Sequence, residues 1–216
     1  MSPVRVAVFA SGSGTNLQTL LDRCRPPDAA RVVLVLSDKA TAGALERARS
    51  AGVGAEIVAD PSDGAATLAL LTNAQIDLVV LAGYLKLVPI DVVRAFDGRM
   101  INVHPALLPA FGGKGMYGIQ VHRAVIESGA TISGATVHLV NEEYDRGTIV
   151  AQWPVPVLAD DTPESLAARV LGVEHELLPA VVLAAAGAGK VVRLPLSEAA
   201  FVAGTVPGVA TTLVQP

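Results

Sequence analysis

The chain has 216 residues and a formal net charge of −4, and 51% of its residues are hydrophobic while 17% are charged. This composition excludes an intrinsically disordered protein, and the length fits one large domain or two halves that share a sheet. The chain has no basic tract, so a nucleic-acid partner is disfavoured, because neutralising phosphates requires clustered cations. The most apolar windows, residues 78–85 and 180–188, are shorter than the roughly 20 residues of a membrane-spanning helix, so no membrane partner is expected.

The single Cys24 excludes an internal disulfide framework. The N-terminus enters a strand pattern directly and lacks the basic head and long apolar stretch of a signal peptide. Together these features predict a cytoplasmic protein.

The first half of the chain alternates short apolar runs with stretches of helical spacing. The predicted strands cover residues 4–9, 32–36, 56–58 and 78–81, and the predicted helices cover residues 16–23, 43–51 and 65–73. Nearly continuous apolar strands are typical of a parallel sheet that is covered on both faces. The repeated strand–helix order therefore predicts an α/β fold with a doubly wound, mostly parallel, Rossmann-like central sheet.

The second half of the chain is less regular. The predicted elements are a strand at 100–103, a loop at 105–118, a helix at 121–128, strands at 131–140 and 148–156, and a helix at 163–186. Thr162 is the expected N-cap of the last helix, and Pro179 is expected to kink or split it. Since no linker stands out, residues 1–216 are predicted to form a single domain. Within it, residues 1–99 are a phosphate-binding half, 100–189 a catalytic half and 190–216 a C-terminal tail.

The first candidate site is the glycine-rich turn between the first strand and the first helix. Glycines allow the backbone to approach a ligand, and the N–H groups at the start of a helix suit a phosphate. We therefore expect Ser13, Gly14, Thr15 and Asn16 to bind phosphate, and an ordinary capped turn is the alternative. The third glycine of the dinucleotide fingerprint is missing, and Asp38 is a poor match for its acidic residue, so a monophosphate is favoured.

A second candidate site lies where a predicted strand ends at His104. Asn102 and His104 are two residues apart, so their side chains point to the same side of the sheet. An amide beside an imidazole can stabilise an oxyanion, and the imidazole can transfer a proton. Asp145, in the polar turn 141–147, could reach His104, fix its tautomer and raise its pKa. The alternative is a structural Asn–His pair and a turn aspartate that bonds its own backbone, with Gly147 at positive φ.

Three further positions allow either a structural or a functional interpretation. His138 lies on a predicted strand, as a core histidine or as a support for the site. The strand end at residues 85–88 either belongs to the core or sandwiches a flat heterocycle. Glu174, within the last helix, either binds a substrate amine or belongs to a solvated face.

The motifs occur in a fixed order between about residues 4 and 183. They are Ser-Gly-x-Gly-Thr-Asn, Leu-Ala-Gly-Tyr-Leu-Lys-Leu, Ile-Asn-Val-His-Pro-Ala-Leu-Leu-Pro, Ser-Gly-Ala-Thr-Val-His-Leu-Val and Asp-Arg-Gly. This set resembles the phosphoribosylglycinamide formyltransferase family, folate-dependent enzymes of purine biosynthesis. The resemblance implies a three-layer α/β/α formyltransferase fold. It also implies transfer of a formyl group from the cosubstrate 10-formyltetrahydrofolate to the amine of glycinamide ribonucleotide, through a tetrahedral oxyanion intermediate and without a metal.

The resemblance also implies a role for each motif. The catalytic residues are Asn102, His104 and Asp145. The loop that binds the substrate phosphate comprises Ser13, Gly14, Thr15 and Asn16. The folate-binding residues are Leu85, Lys86, Leu87, Val88 and Asn102. The residues that contact the substrate amine or support the site are Glu174, His138 and Thr136.

The chain departs from the family pattern at two places. The loop at residues 112–118 is longer than in many members, and we expect it to be mobile and to shape the mouth of the substrate site. Lys86 stands where arginine is frequent, which keeps the charge but loses the bidentate geometry. The resemblance further implies a cis Leu108–Pro109 bond.

Several alternatives remain beside this family. They are another folate-dependent formyltransferase, a formyltetrahydrofolate hydrolase of the same fold, and a non-catalytic nucleotide-binding module. A tRNA-acting formyltransferase needs a C-terminal extension and a basic surface, and the hydrolase an extra N-terminal domain, so both are disfavoured. In a binding module, Asn102, His104 and Asp145 would lie far apart. The expected enzyme is a monomer or homodimer whose partners are small-molecule substrates.

Overall fold

The computed structural model describes residues 2–25 and 27–195. Within them, strands and helices follow one another in an order that confirms the predicted alternation. The elements are β1 (Val4–Phe9), α1 (Thr15–Arg23), β2 (Ala30–Ser37), α2 (Gly43–Ser50), β3 (Gly54–Ile57), α3 (Gly64–Asn73), β4 (Leu78–Leu81), α4 (Ile90–Ala95), β5 (Met100–His104), α5 (Ile119–Glu127), β6 (Ile132–Leu139), β7 (Ile149–Pro156) and α6 (Pro163–Ala188).

The strands form one seven-stranded sheet in the order β3-β2-β1-β4-β5-β6-β7. Strands β1 to β5 are parallel to one another. At one edge of the sheet, β6 pairs antiparallel with β5, and β7 pairs antiparallel with β6. Helices α1, α2, α5 and α6 cover one face of the sheet, and α3 and α4 cover the other. This arrangement confirms the predicted three-layer α/β/α fold with a mostly parallel sheet.

The side chains of β1 explain why the central strands carry nearly continuous apolar runs. Val6 and Val8 point into the core beneath α1 and α6, whereas Ala7 and Phe9 point into the core on the opposite face. Because successive side chains of a strand alternate between faces, a strand covered on both sides has no position left for a polar residue. The continuous apolar runs in the sequence follow from this burial.

The topology of the sheet brings the candidate residues to one place. From β1 the chain first adds β2 and β3 on one side, and then adds β4 and β5 on the other. The loops after β1, β4 and β5 therefore leave from the carboxyl ends of three neighbouring strands. In open α/β sheets, ligands bind at such a switch point.

Helix α6 is a core helix that packs against β6, β7, α1 and α5. Thr162 caps its start as predicted, in a capping box in which Thr162 and Ser165 exchange hydrogen bonds of 2.9 and 3.2 Å. The helix continues through Pro179, so the predicted split is wrong. The buried Pro179 lies in the middle of the packed face, and this packing outweighs the hydrogen bond that proline cannot make.

The apolar stretch of α6 is longer than the windows recognised in the sequence. By length and composition alone it could cross a membrane, since the mean hydropathy of its most apolar 18 residues is 1.5. However, 56% of that window is buried inside the protein, as expected for a helix that fills the core of a globular domain.

Two parts of the chain were not captured by the sequence analysis. Helix α4 is absent from the predicted elements; Pro89 is its N-cap, and Val92 and Val93 bury its inner face. In the predicted tail, the backbone N–H of Leu194 donates to Val150 at 2.9 Å. Residues 196–216 of that tail lie outside the described residues.

We predict that Leu177→Ala destabilises the fold by about 2–5 kcal/mol, because this fully buried α6 side chain (0% exposed) would leave a cavity. Urea unfolding measures the loss. Leu158→Ala is the matched control, since Leu158 is 48% exposed and its truncation should change the free energy of unfolding by less than about 0.5 kcal/mol. Equal losses in the two variants would contradict the described core.

Candidate active site

A cavity of about 590 Å³ opens at the carboxyl ends of β4 and β5. Its wall joins residues from motifs that are distant in sequence: Asn16, Leu85, Lys86, Leu87, Val88, Asn102, His104, His138, Asp145 and Glu174. Gly14, Thr15 and Thr136 do not line it, and Ser13 lines a second, more open depression beside α2. Most of the predicted site residues therefore surround one volume.

Asp145 lies within reach of both Asn102 and His104. Its Oδ1 is 3.4 Å from Nδ2 of Asn102, and its Oδ2 is 3.6 Å from Nδ1 of His104. The side chains of His104 and Asp145 are only 4% and 10% exposed. The structure thus brings an amide, an imidazole and a carboxylate together, which is the opposite of the wide separation expected for a non-catalytic module.

The backbone places these side chains through the pairing of β5 with β6. Asn102 lies opposite His138 in this antiparallel pair, and Asp145 follows in the turn after β6. Asp145 has a φ of 55°, a left-handed conformation that aspartate tolerates better than most residues. The expectation of a positive φ at Gly147 is wrong. This residue is restricted by space instead, because a Cβ atom there would overlap the carbonyl of Leu139.

His138 fixes the orientation of the Asn102 amide. The Nδ1 of His138 lies 2.8 Å from the backbone oxygen of Leu139, and since a carbonyl only accepts, Nδ1 carries the proton. The Nε2 atom then accepts a hydrogen bond from Nδ2 of Asn102 at 3.0 Å. As a result, the amide nitrogen of Asn102 faces Asp145 and the cavity.

His104 donates to the backbone of the following loop. Its Nε2 lies 2.8 Å from the carbonyl oxygen of Phe111, which places the proton on Nε2 and leaves Nδ1 facing Asp145. Burial lowers the pKa of His104, and the charge of Asp145 and the Phe111 carbonyl raise it without overcoming burial. Asp145 does raise the pKa of His104, as predicted, but the net shift is downward because burial, which the sequence did not reveal, outweighs it.

The same loop also holds Asp145. The backbone N–H of Gly113 donates to Oδ2 of Asp145 at 2.8 Å. Burial raises the pKa of Asp145, but the contacts with His138 and His104 and the Gly113 N–H outweigh burial and lower it. Asp145 is therefore ionised at neutral pH.

The loop after β5 does more than shape the mouth of the site. Residues 113–118 line the cavity, as predicted, and the Leu108–Pro109 bond is cis, as the resemblance implies. Thr136 lies beneath this loop, where its hydroxyl donates to Ala106 at 2.6 Å and accepts from the N–H of Leu108 at 3.0 Å. Thr136 thus supports the loop from the core and does not reach the cavity.

Asn16 and Glu174 form a buried pair at another part of the cavity wall. Nδ2 of Asn16 donates to Oε2 of Glu174 at 2.6 Å, across 158 positions of sequence. Burial raises the pKa of Glu174 to about 7, and the hydrogen bond from Asn16 opposes this rise. A solvated helix face is therefore excluded for Glu174. Oδ1 of Asn16 is buried without a hydrogen-bond partner in the described part of the chain.

Ser11 connects the ends of three strands beside the cavity. Its hydroxyl donates to Oδ1 of Asp38 at 2.5 Å and accepts from the backbone N–H of Leu85 at 3.0 Å. This link fixes the segment in which Leu85 and Leu87, 44% and 49% exposed, present apolar side chains at the cavity. Asp38 therefore serves as a structural acceptor for Ser11.

Sequence reasoning missed two groups at the site. The Phe111 carbonyl acts through its backbone, so no residue type marks it. His122, on α5, lines the cavity, and its buried Nδ1 has no hydrogen-bond partner among the described residues. Burial and the nearby His104 lower its pKa to about 4. Among residues 2–25 and 27–195, no group of three or more His, Cys, Asp or Glu side chains is arranged to hold a metal ion.

Comparisons with known proteins agree with this geometry. The sequence profile of the family described as Formyl transferase matches residues 4–182. The chain is 50% identical over 186 residues to the chloroplastic phosphoribosylglycinamide formyltransferase of Arabidopsis thaliana, covering 82% of this chain and 64% of that protein. It is 37% identical to the phosphoribosylglycinamide formyltransferase of Haemophilus influenzae, covering 82% of this chain and 85% of that protein.

Solved structures show the same similarity. The crystal structure of glycinamide ribonucleotide transformylase 1 from Symbiobacterium toebii has a TM-score of 0.80 and 43% identity, covering 86% of this chain and 89% of that one. The chain spans less than two thirds of the plant relatives it matches, 64% for the Arabidopsis protein and 59% for that of Vigna unguiculata.

We predict that Glu174 makes the stability of the fold depend on pH. Its pKa is raised from 4.5 to about 7, so the stabilisation by the protonated carboxyl is complete below pH 4.5 and is lost as the pH rises through about 7. Over this window the free energy of unfolding of the wild type should fall by on the order of 3 kcal/mol, whereas that of Glu174→Gln should not show this fall. Urea unfolding at a series of pH values measures the difference.

The exposed Glu164 of the same helix provides the control. Glu164→Gln should follow the wild-type curve, because no buried carboxyl is removed. Parallel curves for the wild type and Glu174→Gln would show that Glu174 has an ordinary pKa.

Proposed function

The chain belongs to the formyl transferase family, and we propose that it transfers a formyl group from 10-formyltetrahydrofolate to the amine of glycinamide ribonucleotide in purine biosynthesis. One observation carries this proposal: Asn102 and His104 both lie within 3.6 Å of Asp145, at the wall of a cavity that also holds the Asn16–Glu174 pair. Formyl transfer needs an oxyanion donor and a proton relay at one place, and this arrangement supplies both.

The turn after β1 suits the phosphate of the ribonucleotide. Gly14 is the N-cap of α1, with a φ of 75°, and makes no side-chain cap hydrogen bond. The first N–H groups of α1 thus have no capping side chain at Gly14, and a helix N-terminus attracts an anion. We assign phosphate binding to Ser13, Gly14, Thr15 and Asn16.

The strand end after β4 suits the flat pterin of the folate. The apolar side chains of Leu85, Leu87 and Val88 border the cavity beside the backbone edge that Ser11 fixes. Asn102 lines the same cavity as this segment, so we assign it to the place where the two substrates meet. Lys86 adds a cation that can attract the folate's carboxylates.

The reaction forms one bond and breaks another at the formyl carbon. The substrate amine attacks that carbon, and the carbonyl oxygen becomes an oxyanion, to which Nδ2 of Asn102 donates the hydrogen that its 3.4 Å contact otherwise directs at Asp145. One proton then moves from the attacking amine to the nitrogen of the folate, as the bond between that nitrogen and the formyl carbon breaks. The products are the formylated amine and tetrahydrofolate, and the step needs no oxidant or reductant.

His104 and Asp145 provide the path for that proton. Nδ1 of His104 has no proton and faces the ionised Asp145, so the two together can accept a proton from the amine. The imidazolium that forms is stabilised by Asp145 and by the Phe111 carbonyl, both of which favour the charged ring. The ring then donates to the leaving nitrogen, while His138 and Thr136 keep their supporting positions.

Glu174 is assigned to the glycinamide end of the substrate. Its pKa of about 7 allows the carboxyl to accept a hydrogen bond from the amine when ionised, at small cost near neutral pH. We also propose a cytoplasmic monomer or homodimer that acts on small molecules, with 10-formyltetrahydrofolate as its cosubstrate and no metal.

The purified protein tests this function directly. Incubation with glycinamide ribonucleotide and 10-formyltetrahydrofolate should release deformylated folate, measured by its absorbance, and release should require the acceptor. Folate release without acceptor would identify a hydrolase instead. Binding of nucleotides without any turnover would identify a binding module.

We predict that His104→Ala and Asp145→Asn each lower kcat by about 10²–10⁴-fold, because each removes a partner of the proton relay. Steady-state kinetics measures the loss, and the thermal midpoint shows whether the variants fold. His175→Ala and Asp160→Asn are matched controls, since neither residue lines the cavity. Wild-type turnover in folded His104→Ala would refute the mechanism.

A further inference from the structure

Helix α2 contacts the glycine-rich turn after β1, residues 12–16, through the backbone carbonyls of that turn. The backbone N–H of Ala44 donates to the carbonyl of Gly12 at 3.2 Å. One turn further along the same helix, Nε of Arg47 donates to the carbonyl of Ser13 at 2.8 Å. Two successive carbonyls of the turn are thus bound by α2.

Arg47 links the turn to helix α1 as well. Its Nη1 donates to Oε1 of Gln18 at 3.0 Å, so one planar guanidinium spans the Ser13 carbonyl and the first turns of α1. Within residues 2–25 and 27–195, Arg47 is not part of a salt bridge. Its guanidinium therefore interacts with the turn and with Gln18 and not with a carboxylate in a salt bridge, although Glu46 lines the same depression.

The turn and α2 are in direct backbone contact. A Cβ atom on Gly14 would lie 2.7 Å from Cα of Ala44, and one on Gly43 would lie 3.1 Å from the oxygen of Ser13. No side chain separates the two segments, so a shift of α2 would move the turn with it. The contacts of Arg47 therefore act on the turn itself.

A second observation indicates that the other side of the turn faces a ligand. Asn16, 8% exposed, lines the cavity, and its Oδ1 has no hydrogen-bond partner in the described part of the chain. A buried polar atom without a partner is costly, and a bound substrate group with a donor would satisfy it. The turn is thus bound by α2 through its carbonyls, and Asn16 at its end reaches the cavity.

We propose that Arg47 is a positioning residue for the phosphate of the substrate. By fixing the Ser13 carbonyl and Gln18, Arg47 keeps the N–H groups at the start of α1 aligned, and its charge adds local attraction for a dianion in a chain with a net charge of −4. This inference rests on the proposed function, since it assumes that the phosphate of glycinamide ribonucleotide binds at this turn.

The test compares Arg47→Ala with Arg49→Ala, a change at an exposed arginine of the same helix. We expect Arg47→Ala to raise KM for glycinamide ribonucleotide on the order of 10- to 100-fold, the loss of hydrogen bonds from a charged group. The kcat and the KM for the folate should stay near wild type. Arg47→Lys keeps the charge but cannot reach both acceptors, so its KM should lie between those of the wild type and Arg47→Ala.

A substrate without phosphate separates positioning from a general structural role. With glycinamide riboside as acceptor, kcat/KM should be the same for the wild type and Arg47→Ala. An equal loss with both acceptors would show that Arg47 only supports the fold and would overturn the inference. If Arg47→Ala does not fold, the same comparison is made with Arg47→Lys.

The outcomes also distinguish this inference from the proposed function. If the wild type transfers no formyl group to glycinamide ribonucleotide, the proposed function fails. If the wild type is active and the kinetics of Arg47→Ala match those of Arg49→Ala, the proposed function stands and the role of Arg47 is refuted.

Discussion

The site depends on one buried charge, the carboxylate of Asp145. A desolvated carboxylate is tolerated only where donors meet its oxygens, and here the N–H of Gly113 and the amide of Asn102 do so. These donors belong to the loop after β5 and to β5 itself, so the charge also holds the loop against the cavity. The cluster of Asn102, His104 and Asp145 and the cavity wall are therefore one arrangement, and a change to either changes the other.

The fold was largely predictable, since a sheet covered on both faces imposes a pattern on every strand. Asn102 and His104 were placed on one side of a strand by their spacing alone, and the structure agrees. The Asn16–Glu174 pair could not be predicted from the residues, because its hydrogen bond joins positions 158 apart. The Phe111 carbonyl could not be predicted either, because it acts through the backbone and no residue type marks it.

The direction of the pKa shift of His104 could not be predicted from residue patterns alone. The sequence identified Asp145 as the charge that raises this pKa, and it does raise it. Burial opposes that charge and outweighs it, and burial depends on how α5, the loop after β5 and the sheet enclose the ring. A partner can be found by motif and spacing, whereas the dielectric environment follows from the complete packing.

The two acidic side chains of the cavity differ because their surroundings differ. Asp145 is held by several favourable contacts and stays ionised, whereas within residues 2–25 and 27–195 Glu174 has the single donor Asn16 and its pKa rises to about 7. Environments that push the pKa values of two carboxyl groups apart in this way allow one group to act as a base and the other to switch between hydrogen-bond acceptor and donor. The two carboxyl groups also belong to different elements, since Glu174 lies on α6 and Asp145 follows β6, so one cavity offers distinct chemistry at two positions.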